Sequence, residues 1–386
     1  MNLILDDNNL HKSFAPLSLT RPVGNLRIGI LTNDERWSHY LPEANISFKT
    51  EDYLSNQFKC IERNKDSITV NAGIIPNNDF VATVINLNEN EALYFNDAKI
   101  AFKGNGTIKI NYCGEEPVFL TKRWHIFQKN QEVIEQDFIL LKGDRNSQEL
   151  SKSNILIGNP EQLFIEEGAS IEACTLNTND GPIYIGENAI VMEGCLIRGA
   201  FALCEHATLK LGTKVYGPSS IGPYCKVGGE INNVVFQAYS NKGHDGFLGN
   251  SIIGEWCNLG ADTNTSNLKN NYTDVKLWNY ESDNFINTGL QFCGLMMGDH
   301  SKCGINTMFN TGTVVGVFTN IFGSGFPRNF VPSFSWGGNK GFTTYLTKKA
   351  FEVASLVMQR RGCKFTNQES EILKEVFEIS KKYRTY

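Results

Sequence analysis

Every sixth residue from Ile185 is aliphatic: Ile185, Val191, Ile197, Leu203, Leu209, Val215, Ile221 and Val227. If about a quarter of residues are aliphatic by chance, eight consecutive hits have odds on the order of 10⁻⁵ for a given start. An amphipathic helix repeats every 3.6 residues and a half-buried strand every two, so neither produces this row. A period of six suits a parallel β-helix. In that fold short strands form the flat faces of a triangular coil, one aliphatic side chain per strand fills the axis, and small residues take the corners. One coil cannot bury its stripe alone, so coils must stack. Two residues before most ladder positions the side chain is indeed small: Ala189, Cys195, Ala207, Thr213, Ser219 and Cys225. The ten cysteines include no C-x-x-C pair, and they read as small buried hydrophobes in a reducing compartment rather than as disulfide or metal ligands.

The phase of the row locates interruptions. It resumes at Phe247, Ile253 and Leu259, two residues out of step with Val227. It resumes once more at Met297, Cys303, Phe309, Val315 and Ile321, again two out of step. Two loops are therefore expected to leave the coil, one around 239–246 and one within 265–291. Loops on a rigid scaffold are where binding and catalytic groups concentrate. His244 falls in the first, between Gly243 and Gly246, and Asn258, Asn264 and Asn267 follow it. A lone loop histidine is by default a solvated surface residue; the phase break, the glycines and the amides single this one out. A neutral imidazole can take a proton from an attacking amine or hydroxyl near neutral pH. No second histidine or carboxylate stands at ligand spacing beside it, which disfavours a metal there.

Outside the repeat, residues 1–145 read as a separate mixed α/β unit. "MNLILDD" and "RIGILT" resemble short buried strands, "EALYFNDAKIAF" strand-turn-strand, and Trp124, Phe127, Val133 and Ile134 have helical spacing. Residues 150–335 form the coil, and 340–386 carry two amphipathic helices, one through Tyr345, Ala350, Ala354 and Val357, the other through Ile372, Val376 and Phe377. A net charge of −5 with no long Lys/Arg run argues against a nucleic-acid partner. No charged-then-apolar leader opens the chain and no apolar run approaches the roughly 18–20 residues of a membrane span, so a cytoplasmic protein is expected. Phe201, Phe236 and Tyr239 are expected on the broad faces, where a neighbouring copy would bury them in a homotrimer.

The ladder together with "GHDGFLGNSIIGEWCNLGADTNTSNL" resembles the acetyltransferase half of the bifunctional enzymes that acetylate glucosamine-1-phosphate and then attach UMP. The resemblance covers residues 150–335 and implies a left-handed parallel β-helix. Residue by residue, it puts His244 on the catalytic base and Asn258 on the asparagine that supports the active site. It puts Ala261 and Asn267 on acetyl-coenzyme A or sugar contacts, and Lys302, in "KCGIN", on a later cofactor-binding coil. Phe247 stands where the family has a tyrosine, and Asn232 where it has a lysine that binds the sugar phosphate, with Lys226, Lys242 and Lys269 as candidate substitutes.

Residues 1–145 resemble that family's Rossmann-like nucleotidyltransferase half in a reduced form. Thr20-Arg21-Pro22 is kept, while the glycines of the usual triphosphate loop are absent. The resemblance implies that Arg21 and Arg27 hold a nucleoside triphosphate and that Asp97, in "YFNDA", binds Mg²⁺; as a residue, Asp97 reads equally well as a plain turn. The implied function is acetyl transfer from acetyl-CoA to glucosamine-1-phosphate or a similar amino-sugar phosphate, with nucleotidyl transfer from UTP or dTTP. Two alternatives stand beside it: an acetyltransferase whose N-terminal domain is a binding or regulatory module, and a non-catalytic β-helix scaffold.

Overall fold

The computed structural model describes residues 1–386. Residues 1–145 form an α/β unit around a six-stranded sheet, in spatial order Asn45–Lys49, Asn2–Asp6, Ile68–Asn71, Ala98–Lys103, Glu91–Phe95 and Ile108–Asn111. The first three strands run parallel and Ala98–Lys103 is antiparallel to Ile68–Asn71. "RIGILT" is a tight pair of two-residue strands, Arg27–Ile28 and Leu31–Thr32, rather than one strand. The expected strand-turn-strand over 91–103 is present.

Beyond it rises a left-handed parallel β-helix with three faces. All eight residues of the six-residue row are buried, as are the six small residues that precede them. Strands of the first face (such as Ile183–Ile185, Phe201–Leu203 and Ser219–Ile221) pair in register from coil to coil, as do those of the second face (Ile190–Val191, Thr208–Leu209, Lys226–Val227) and the third (Leu196–Arg198, Lys214–Tyr216). The backbone groups are thereby satisfied between coils while the axis stays apolar. All ten cysteines are free, seven of them buried.

The first phase break has a different cause from the one expected. Val215 pairs with Ile231, Ile221 with Phe236, Val227 with Lys242 and Ile231 with Leu248. The steps from Val227 to Ile231, from Ile231 to Phe236 and from Leu248 to Ile253 are therefore four, five and five residues, so the slip comes from shortened steps, not from a loop, and Leu248 rather than Phe247 takes the inward place. Residues 243–246 are a normal corner of the coil. Lys242, standing where the row calls for an aliphatic side chain, hid the true register. The second break is a real excursion. Between Thr265 and Gly294 the chain leaves the coil and forms a hairpin, Lys276–Asn279 with Asn284–Asn287.

The aromatic expectation is also corrected. Phe201 and Phe236 are fully buried inside the coil, because they take inward positions on the first face. Tyr239 belongs to a column at the corner between first and second faces: His206, Tyr224, Tyr239, Trp256, His300, Phe318 and Phe334, each ring stacked on the next at 4.2–6.3 Å between centroids. Every one of these residues has positive φ, between 52° and 60°. The left-handed conformation costs a non-glycine residue roughly 1–2 kcal/mol, and ring stacking of about 0.5–1.5 kcal/mol per pair offsets it.

The α/β unit does not keep a core to itself. Val235, Ile252, Met296 and Val314 point outward from the first face and are fully buried in a cluster shared with Phe14, Ile126 and Phe127. Burying each such side chain contributes about 1.5–3 kcal/mol, so an aspartate at Val235 would break this seam. The C-terminal helices Thr347–Gln359 and Asn367–Ile379 close the same cluster through Ala350, Ala354, Leu373 and Val376, and Thr366 with Glu369 forms a capping box on the second. No helix is long and apolar enough to cross a membrane.

Candidate functional site

His244 stands exposed on the corner between the second and third faces. It lines a cleft of about 760 Å³ whose floor is the second face, represented by Lys226, Asn241, Asn258 and Lys302. Side chains alternate across a strand, so residues adjacent to the buried row must face outward here. One wall is the aromatic column at Tyr239 and Trp256. The other side holds Lys210, His244, Ala261 and Ile305.

The roof comes from the end of helix Thr347–Gln359. Gly362, at φ 75°, ends it in the left-handed turn that glycine permits, and the Cys363 amide donates to the Met358 carbonyl. That stop sets Arg360 and Arg361 over the cleft, where Arg361 Nη2 donates to Asn241 Oδ1 at 3.0 Å. Five cations therefore line the cleft, Lys210, Lys226, Lys302, Arg360 and Arg361, and no carboxylate does. Burial and then the charges of Arg361, Lys210 and Arg360 push the Lys226 pKa below the usual lysine value. Burial lowers that of Lys302. Such mutual repulsion is relieved by an anion.

The third face, on the other side of His244, is rich in amides. Asn232 lies in register with Tyr216 and Gly249, Phe247 opposite Glu230, and Asn267 donates to Asn250 Oδ1 at 2.8 Å. Asn264 accepts from the Phe247 amide at 2.8 Å. The corner thus separates a cationic groove from an amide surface. His244, Asn258, Ala261 and Lys302 come together in the groove; Asn232, Phe247 and Asn267 gather on the amide side.

Three other expectations are corrected. Lys242 is not available to a substrate, since it is buried and its ammonium donates to the carbonyls of Gly228 and His244. Lys269 donates to the Asp274 carbonyl at 2.5 Å and borders a separate hollow with Lys276 and Arg328. Arg21 and Arg27 are spent at the domain junction. Arg21 pairs with Glu255 and, at 2.6 Å, with Asp299; burial disfavours its charge, but these carboxylates outweigh burial and hold it above its usual range. Arg27 donates to the Ile30 carbonyl and pairs with Glu35 at 3.3 Å.

Asp97 lies at the exposed turn of the 91–103 hairpin with φ 62°, its side chain 94% exposed and 3.0 Å from Lys109. No group of three His, Cys, Asp or Glu side chains is arranged to hold a metal. The donors present do not fit a Mg²⁺ site at Asp97, and the turn reading accounts for it. Arg360 and Arg361 escaped the sequence reading because they lie over 100 residues from His244; their only local signal was two adjacent arginines before a helix-stopping glycine.

Residues 3–146 match the family profile described as sugar nucleotidyl transferase. In this chain that domain is joined to the left-handed parallel β-helix described above. Among curated proteins it is similar to the bifunctional protein GlmU of Wigglesworthia glossinidia brevipalpis, 26% identical over 267 residues, 61% of this chain and 51% of that one. It is also similar to the bifunctional sugar-1-phosphate nucleotidylyltransferase/acetyltransferase of Sulfurisphaera tokodaii, 28% identical over 152 residues, 34% of this chain and 37% of that one. A third relative is the putative uncharacterized acetyltransferase YaiX of Escherichia coli K12, 26% identical over 174 residues, 45% of this chain and 69% of that one. The matches to the two bifunctional relatives span about half or less of their length. Among solved structures, the polysialic acid specific acetyltransferase NeuO aligns at 13% identity over 53% of this chain and 94% of its own, with a TM-score of 0.27.

Proposed function

We propose that the cleft at His244 transfers an acetyl group from acetyl-CoA to the amine of an amino-sugar phosphate such as glucosamine-1-phosphate. One observation carries this: five cations with no carboxylate among them line a groove that ends at an exposed histidine. The groove suits the phosphates of the acyl carrier, and the amide face suits a sugar. The amine nitrogen attacks the thioester carbon while His244 accepts the amine proton. As the tetrahedral intermediate collapses the C–S bond breaks, and that proton leaves with coenzyme A as its thiol. The Gly260 amide is committed to the Cys303 carbonyl, so from that turn the Ala261 amide is assigned to the developing oxyanion.

The test is thiol release with acetyl-CoA and a panel of amino-sugar phosphates. His244→Ala should lower kcat by roughly 10²–10⁴-fold, with the melting temperature unchanged. His244→Lys should not restore it. A wild-type kcat in His244→Ala would end the proposal. The reading places the protein in the cytoplasm as a homotrimer, with the exposed Leu211 and Ile305 beside His244 facing a neighbouring copy. A monomer by light scattering at micromolar concentration would remove that part.

For residues 3–146 nucleotidyl transfer from UTP or dTTP is the activity their family suggests. A specific observation favours a second reading, a domain that binds or braces without that chemistry. The segment after strand Asn2–Asp6, which holds the expected triphosphate contacts, is committed internally. Asp7 accepts from the Val23 amide and Thr50, Ser13 donates to Glu281, and Arg123 donates to the carbonyls of Ala15 and Trp278. Pyrophosphate release with any nucleoside triphosphate would decide for catalysis, and its absence with all of them for the brace.

A further inference from the structure

Lys242 occupies an inward place in the second face. It pairs with Val227, and the pairing of Asn241 with Asn258 sets Leu259 on its other side, in a row that continues through Leu209 and Cys303. The residue is 1% exposed, and its ammonium donates to the carbonyl of Gly228 at 3.1 Å and to that of His244 at 3.0 Å. Those acceptors are backbone oxygens of two successive corners. An aliphatic residue here would complete the row at no electrostatic cost, whereas a buried ammonium held by neutral carbonyls is expensive. A local rule broken with no packing gain is the mark of a functional constraint.

We propose that Lys242 is a positioning residue: it ties the His244 corner to the Gly228 corner beneath, fixing where the imidazole stands, at a cost in fold stability. The proposal rests on His244 acting as the base. The charged and titratable groups facing the ammonium are Asp245, Asp262 and Cys303. Burial, opposed in part by Asp245, lowers the Lys242 pKa to about 8. Above that pH the folded protein loses the charge that holds the tether. The unfolded chain keeps its proton up to about 10.5, so it binds more protons in that window and the Lys242 contribution to stability rises with pH.

The experiment uses the full-length chain with Lys242→Met and, matching Leu209 and Leu259, Lys242→Leu. Both should melt higher than wild type near neutral pH, by a margin that shrinks from about pH 8 upward. Both should lose roughly 10–100-fold in kcat, the usual effect of a small misplacement, with little change in the KM for acetyl-CoA. Amide hydrogen exchange across 243–246 should quicken, and the alkaline fall of kcat expected of wild type near pH 8 should vanish. Unchanged exchange at 243–246, or a lower melting temperature with wild-type kcat, overturns the proposal; so does failure of both variants to fold, which would make Lys242 a structural residue alone. His244→Ala is measured alongside. If it keeps the wild-type rate, the assignment of the base falls, while the exchange data still decide whether the tether exists.

Discussion

The domain junction and the His244 cleft are both rich in cations, and they treat them in opposite ways. At the junction Arg21 is closed in by Glu255 and Asp299, and Thr20 donates to the same Asp299 at 2.6 Å. Each charge has its complement inside the fold, so the group holds parts together. In the cleft Lys210, Lys226, Lys302, Arg360 and Arg361 face one another with no carboxylate. Here the complement must come from outside. A cation's role is thus read from what pairs with it rather than from its presence in a motif.

The comparison breaks most readily at the junction. Arg21→Met leaves two carboxylates partly or wholly buried and unpaired, and should cost about 3–5 kcal/mol of stability in denaturant melts. A variant of wild-type stability with a raised KM for a nucleoside triphosphate would return Arg21 to ligand binding. Next in size, Arg360→Ala combined with Arg361→Ala should raise the KM for acetyl-CoA about 10–100-fold, or roughly 1.4–2.8 kcal/mol, with kcat near wild type. A smaller contrast comes from salt. Raising ionic strength should weaken acetyl-CoA binding at the open cleft and leave the melting temperature nearly constant, because buried pairs are screened far less than exposed ones. Least of all, Asp97→Ala should leave stability, thiol release and any response to chelators unchanged, since its side chain meets only Lys109 at an exposed turn.

Much of the site was legible because it is local. His244, Asn258 and Ala261 sit on consecutive coils, and a solenoid turns sequence spacing directly into spatial adjacency. What failed did so for identifiable reasons. A lysine in the aliphatic row disguised three shortened steps as an inserted loop. Thr20-Arg21-Pro22 kept the letters of a triphosphate motif after its arginine had been taken up by carboxylates more than 230 residues away.

The sequence by itself determined the coil, its inward row as far as Val227 and again from Ile253, its small corners, the excursion after Thr265 and the two terminal helices. Each of these depends on a side chain's own neighbours within a few residues or one coil. Only the tertiary structure decided which cations are free. Docking of the α/β unit on the first face consumes Arg21, and docking of helix Thr347–Gln359 delivers Arg360 and Arg361 to the second. Charge pairing depends on distance in space, and no periodicity along the chain encodes which face a distant segment will cover.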